Sequence, residues 1–279
     1  MWRPLRVLEE KGMIELTVLA CPKGRPFSKE DLVAAIRPET KLIALNHASN
    51  VTGTILPIKE AGEVSRRYEI PLLVDAAQTA GIYPIDVEEL NIDLLAFTGH
   101  KGLLGPTGTG GLYINPELKL TPLKEGGTGR NSLLERQPDY LPERFEVGTQ
   151  NAAGIVALGA GVEFILEEGI ENIWKHEQKL KDYALKSLAK LPEIKVYSPV
   201  EEQVAVISFN IKGFPPQDVA KVLDEVYGIM LRAGLHCAPQ AHRCIGTMKE
   251  GTVRLSIGYF NTKAEIEQLT EALSEIINS

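Results

Sequence analysis

The sequence predicts an α/β fold: a mostly parallel sheet sandwiched by helices over residues 1–153, then a smaller C-terminal α+β domain over residues 154–279. Short apolar runs at residues 41–46, 71–75, 93–97 and 110–114 are bounded by Gly, Pro, Asn or Asp, as buried strands are. Helical stretches alternate with the first of these runs, and a parallel sheet needs such crossovers to carry the chain back. Beyond residue 154 the order changes to a long amphipathic helix, strands and capped helices. A chain of 279 residues, 44% hydrophobic, is enough for one large domain or two ordinary ones.

Residues 4–11 have helical character and stop at Gly12, a cap residue. Residues 14–20 alternate and predict a strand. Ser28-Lys29-Glu30-Asp31 opens a helix with a capping-box pattern. Residues 41–46 form a strand that delivers His47-Ala48-Ser49-Asn50-Val51-Thr52-Gly53 at its end. A helix over 57–68 and a strand over 71–75 follow. Residues 119–150 lose periodicity and carry Gly126-Gly127-Thr128-Gly129 and Phe145-Glu146-Val147-Gly148-Thr149. Loops this long inside a compact domain are usually functional. Residues 152–166 are the most apolar stretch, too short and too interrupted by Glu163 to span a bilayer, so they read as a buried helix. After them come a helix over 170–191, a strand over 204–211, a helix over 215–227, and strands over 229–231 and 252–259. Thr262-Lys263-Ala264-Glu265 is a capping box for a terminal helix running to about residue 277.

Composition narrows the function classes. A formal net charge of -7 argues against a nucleic-acid partner and against an anionic membrane surface. Three cysteines without a Cys-x-x-Cys suit a reducing compartment, and no apolar h-region follows Met1-Trp2-Arg3-Pro4; both predict a cytoplasmic protein. Cys21 and Cys244 are expected to be small buried hydrophobes.

The chemistry gathers where strands end. Thr98-Gly99-His100-Lys101-Gly102 lies between two apolar runs, in a glycine-rich stretch that lets backbone approach a ligand. Asp75 closes another apolar run, with Gln78 just beyond it. An acid at one strand end and a lysine at another is the pattern of a sheet whose carboxyl edge holds a ligand. A P-loop is excluded, because Lys101 precedes the glycines and no Gly-Lys-Ser/Thr follows them. A dinucleotide fingerprint fails too, since Gly108-Thr109-Gly110-Gly111 lacks its third glycine at the required place. Pyridoxal 5'-phosphate needs a lysine for its carbonyl and a carboxylate for its ring nitrogen, and this pattern supplies both.

Asp75-Ala76-Ala77-Gln78 followed by Thr98-Gly99-His100-Lys101 resembles the class V aminotransferase family of fold type I pyridoxal phosphate enzymes. The resemblance implies that Lys101 is the Schiff-base lysine, Asp75 pairs the ring nitrogen and Gln78 donates to the ring hydroxyl. It implies phosphate contacts from Thr98 and His100, and from Thr149 across a homodimer interface. An alternative role for Thr149 is N-cap of the helix starting near Asn151. It also implies that Asn50 contacts a substrate carboxylate; His47 reads as structural.

A second constellation lies in the C-terminal region. Arg232-Ala233-Gly234-Leu235-His236-Cys237-Ala238-Pro239 places a cysteine in a polar, glycine-containing loop beside arginine and histidine, a candidate nucleophilic thiolate. Arg254, on the following strand, can bind a carboxylate through its bidentate fork. A zinc site at His236, Cys237, His242 and Cys244 is the rival reading, weakened by poor spacing. Arg-x-Gly-x-His-Cys-Ala with a downstream strand arginine resembles the Suf-type cysteine desulfurases and selenocysteine lyases, over essentially the whole chain. This implies L-cysteine or selenocysteine as substrate, Cys237 as sulfur acceptor, Arg232, Arg254 and Asn50 as substrate-binding residues, and a sulfur-acceptor protein as partner. Other class V aminotransferase activity, or an inactive dimerisation or binding module, are the alternatives. The resemblance further implies an additional N-terminal segment, carrying a ring-stacking histidine and a phosphate-binding loop, ahead of Arg3. Without it, weak cofactor binding and an exposed apolar patch or open sheet edge are expected.

Overall fold

The computed structural model describes residues 1–21, 25–129, 133–198 and 202–279. Helix α1 (Trp2–Glu10) is closed by Lys11, and Gly12 follows at φ 66. Residues 14–20, which alternate like a strand, form none, because no ladder partner among the described residues takes up their backbone groups. Leu19 still packs on the core below them.

Helix α2 (Lys29–Ala35) starts at the capping box of Ser28 and Asp31. Strand β1 (Ile43–Asn46), helix α3 (Ile58–Tyr68), and strands β2 (Leu72–Asp75), β3 (Leu94–Thr98) and β4 (Gly110–Ile114) complete this half. The strand order is β1-β2-β3-β4, with the first three parallel and β4 antiparallel to β3. Register aligns Asn46 with Asp75 and Asp75 with Ala96, so the three parallel strands release their chains at one edge. Leu72, Val74, Ala61 and Val64 are fully buried beneath it. Burying each such Leu or Val side chain stabilises the fold by roughly 1.5–3 kcal/mol.

Helix α4 (Ala152–Glu168) forms where the apolar stretch predicts it, but it is not buried. Gly154 and Ile165 alone are buried outright, while Val156 and Leu166 are about three-quarters exposed, at 75% and 76%. Hydrophobicity predicts that a face wants cover; it does not supply the cover. On edge strand β4, Leu112 is exposed as well. Asn151, not Thr149, caps α4: its side chain accepts the Gly154 amide hydrogen at 3.1 Å.

The rest of the chain is helix α5 (Ile170–Leu188), strands β5 (Ile194–Val196) and β6 (Val206–Ile211), and helix α6 (Pro216–Tyr227). Strand β7 (Arg232–Gly234), short helix α7 (Pro239–Ile245), strand β8 (Thr252–Ser256) and helix α8 (Lys263–Asn278) follow. The sheet runs β5-β6-β8-β7, antiparallel throughout. The strand expected over 229–231 lies three residues later, because pairing with β8 sets Arg232 opposite Arg254. Thr262 and Glu265 form the capping box of α8. Phe209, Ile207, Leu223 and Leu273 centre this second core.

A smaller cluster of Ala48, Ile55, Val204 and Val206 joins the two halves, with Tyr83 and Trp174 packed against it. Among the described residues, no helix is long and apolar enough to cross a membrane. All three cysteines are free; Cys21 is half-buried and Cys244 exposed on α7, so Cys244 is not the buried hydrophobe expected.

Candidate active site

The three parallel strands end side by side, and each end is held by backbone bonds. The His47 amide donates to the Asp75 carbonyl at 2.9 Å, and the Ala76 amide to the Ala96 carbonyl at 2.8 Å. Asp75 therefore cannot swing away from the edge. Its Oδ1 accepts the Ala77 amide hydrogen at 3.0 Å. Gln78 sits half-buried just beyond.

His47 is the structural residue its position predicts. Its ring is buried, with Nδ1 3.0 Å from the Thr79 hydroxyl and its edge on Tyr83 at 5.3 Å. Burial pushes its pKa down to about 4, so the ring is neutral at neutral pH.

The loop after β3 interlocks with the turn after β2. A Cβ on Gly102 would stand 2.6 Å from the Ala80 carbonyl oxygen and 2.5 Å from the Ile82 side chain. Only glycine allows this approach, and it fixes Lys101 against the Asp75 strand end. The Lys101 pKa is lowered, chiefly by desolvation and also by Arg254, against the opposing pull of Asp75 and Cys237. Residues far apart in sequence thus act on one amine. Thr98 and His100 are joined to each other, hydroxyl to Nδ1, at 2.7 Å.

The second sheet brings the remaining groups. Arg232 and Arg254 are direct cross-strand partners, two like charges side by side where stability alone disfavours them. Burial and then Arg232 lower the Arg254 pKa, with Cys237 opposing. Arg254 Nη1 donates to the Asn50 carbonyl at 3.1 Å, and Asn50 Nδ2 donates to the His236 carbonyl at 2.6 Å. The Arg232 guanidinium lies 3.9 Å from the Cys237 sulfur, which is exposed. Lys101, Asp75, Asn50, Arg232, Arg254 and Cys237 therefore gather where the two sheets meet. Thr149 does not join them; it is exposed, ahead of α4.

Sequence reasoning missed His242 as anything but a rival zinc ligand. It is fully buried, bonded to Thr247 at 2.7 Å and packed on His236, with ring centroids 5.5 Å apart. Among the described residues no group of three or more His, Cys, Asp or Glu is arranged to hold a metal ion. The missed signal was a histidine three residues into a short helix with a threonine five residues on, too weak to read alone.

Comparison with known proteins places the chain in a family. The Aminotransferase class-V family model matches residues 2–269. A probable cysteine desulfurase of Methanothermobacter thermautotrophicus is 37% identical, over 96% of this chain and 68% of its own length. One of Halalkalibacterium halodurans is 39% identical, over 93% of this chain and 64% of its own. Among solved structures, the cysteine desulfurase CsdA of Escherichia coli, in an S-sulfonic acid form, superposes with TM-score 0.90 at 29% identity. The match covers 99% of this chain and 69% of that one. The apo cysteine desulfurase of Thermococcus onnurineus NA1 gives 0.86 at 33% identity, over 99% and 70%. The chain spans about two-thirds of the length of these relatives, between 64% and 70%.

Proposed function

We propose that this chain, which belongs to the aminotransferase class-V family, carries the active-site machinery of a pyridoxal phosphate-dependent cysteine desulfurase that converts L-cysteine to L-alanine and leaves the sulfur on Cys237. The observation that carries this reading is the meeting of Lys101 with Asp75 from one sheet and Arg254 and Cys237 from the other.

The residues fit the cofactor. Lys101 is an amine whose lowered pKa favours the neutral, nucleophilic form at a given pH. Asp75 is held by the Ala77 amide through one oxygen, and its carboxylate would pair a protonated ring nitrogen. Thr98 and His100, already paired, leave one hydrogen-bond donor for a phosphate, the His100 Nε2–H or the Thr98 hydroxyl according to the tautomer, and Gln78 follows Asp75 by three residues for the ring hydroxyl. When bound, pyridoxal phosphate supplies an electrophilic carbonyl carbon and a ring that withdraws electrons from the substrate's carbons.

Each protein group then has a definite task. Lys101 takes and returns protons at the substrate carbons. Arg254 and Arg232 hold the substrate carboxylate, and Asn50 ties the Arg254 strand to the Cys237 loop. The Cys237 thiolate accepts the substrate's sulfur. The stoichiometry balances: L-cysteine and the Cys237 thiol give L-alanine and a persulfide.

The reading extends to a homodimer, in which Thr149 serves the partner's phosphate site, and the exposed apolar face of α4 supports such cover. It extends also to a sulfur-acceptor protein, a cytoplasmic location, and a domain division at residues 153–154. Three free cysteines support the reducing location.

Borohydride reduction of the chain with pyridoxal phosphate, followed by peptide mapping, tests the cofactor site. Label on Lys101, lost in Lys101→Ala and weakened in Asp75→Ala, is the expected result. Label spread over surface lysines and unchanged in Lys101→Ala would overturn it.

A further inference from the structure

The loop carrying Cys237 holds two consecutive non-glycine residues in the left-handed region, His236 at φ 49 and Cys237 at φ 60. Such residues persist only where their surroundings over-determine them. The surroundings here are a second histidine and its anchor. The His236 ring is 3% exposed, with Nε2 3.0 Å from the Thr252 carbonyl oxygen and 3.1 Å from the Thr252 hydroxyl. A carbonyl only accepts, so Nε2 carries the hydrogen. The same ring packs on His242 at 5.5 Å between centroids, tilted by 40°.

His242 is fully buried on α7, and its Nδ1 bonds the Thr247 hydroxyl at 2.7 Å. The Thr247 amide donates to the His242 carbonyl at 2.9 Å, and the Thr247 carbonyl accepts from the Gly251 amide at 2.8 Å. Asn210 on β6 closes the line by donating to the Gly251 carbonyl at 3.1 Å. A continuous path therefore runs from β6 through Thr247 and His242 to the His236–Cys237 pair. His236 Nδ1 is buried within it without a hydrogen-bond partner, while the His242 ring also reaches the Leu235 backbone, two residues before Cys237. An apolar ring at position 242 would give up the bonds to Thr247 and to the Leu235 backbone, so packing alone does not account for this imidazole.

We propose that His242 is a positioning residue for Cys237: anchored by Thr247 and packed on His236, its ring holds the Cys237 loop so that the thiol stays beside Arg232 and Arg254. The catalytic weight of that position rests on the reading of Cys237 as sulfur acceptor. The consequence is a thiol that meets its reaction partner inside the field of two guanidinium groups, suited to a substrate bearing a carboxylate.

Local charge at the thiol can be read without cofactor or turnover. In the 279-residue chain with Cys21→Ser and Cys244→Ser, Cys237 is alkylated in parallel by anionic iodoacetate and neutral iodoacetamide. The ratio of the two rates reports the nearby positive charge, and the neutral reagent corrects for exposure. His242→Ala should lower that ratio by about fivefold, the size of an attraction between near charges at the surface, and Thr247→Val by about twofold. His242→Gln, which can still bond Thr247, should return the ratio to within about twofold of the parent. Thermal denaturation of each variant confirms that it is folded at the assay temperature, and Thr247→Val decides if His242→Ala does not fold. A parent ratio no higher than that of a small free thiol overturns the proposal. So does an unchanged ratio in folded His242→Ala and Thr247→Val, or His242→Gln behaving as His242→Ala does. If the ratio falls as expected while Cys237→Ser still forms persulfide, the positioning role stands and the sulfur-acceptor reading fails.

Discussion

Glu177 lies on the buried stripe of α5, one turn after Ile173 and one before Leu180, and is 3% exposed. Lys181, the next residue of the stripe, bonds the Gln178 amide oxygen at 2.5 Å and Asp182 at 3.3 Å, not Glu177. Desolvation raises the Glu177 pKa from 4.5 to about 7. The folded state therefore binds the Glu177 proton more tightly than the unfolded state does. The stability this contributes is fully present below the unfolded value of 4.5 and is lost as pH rises through about 7. At ~1.4 kcal/mol per pH unit of separation, ionised Glu177 costs the folded state about 3 kcal/mol. Between pH 5 and pH 8 the difference amounts to roughly 2.5 kcal/mol. Glu177→Gln keeps the shape and removes the charge. Its urea-unfolding free energy, measured beside the parent at several pH values in that range, should show a variant advantage that grows with pH. His47 and His236, both lowered to about 4, act in the opposite sense. Their stability is present above 6.5 and lost on acidification, and it cancels in the comparison. A pH-independent difference, or a variant less stable than the parent at pH 8, would refute the reasoning and mean that Glu177 is ionised and paired.

Other outcomes follow from the site. Gly102→Ala drives a Cβ to 2.6 Å from the Ala80 carbonyl, so it should cost roughly 1–3 kcal/mol and reduce labelling of Lys101 by cofactor; unchanged stability and labelling would count against the interlocked loops. Cys237→Ser should abolish persulfide formation on incubation with L-cysteine and cofactor while leaving cofactor absorbance intact. Cys244→Ser, altering an exposed thiol, should do far less, and equal loss from both would point to a thiol pair.

Much of this molecule is legible residue by residue, wherever the determining interaction is local. The capping boxes at Ser28 and Thr262 form as their spacing predicts, because each closes within a single helical turn. Strands β1 to β4 appear at the apolar runs, and Asp75 and Lys101 emerge at strand ends, since strand length and glycine placement are written in order along the chain. Long-range pairing is different in kind. Residues 14–20 have the alternation of a strand and no ladder, because a strand exists only with a partner. The apolar character of α4 states that a surface seeks cover but not what covers it. Register with β8 moved β7 three residues along and set two arginines face to face. The bond from Asn50 to His236 spans 186 positions, and the tilted contact of His236 with His242 depends on where α7 folds back. Composition and motif spacing determine which chemical groups this chain owns. Only the closure of one sheet edge against the other decides that they act on one another, since contacts between distant segments depend on packing that no local window contains.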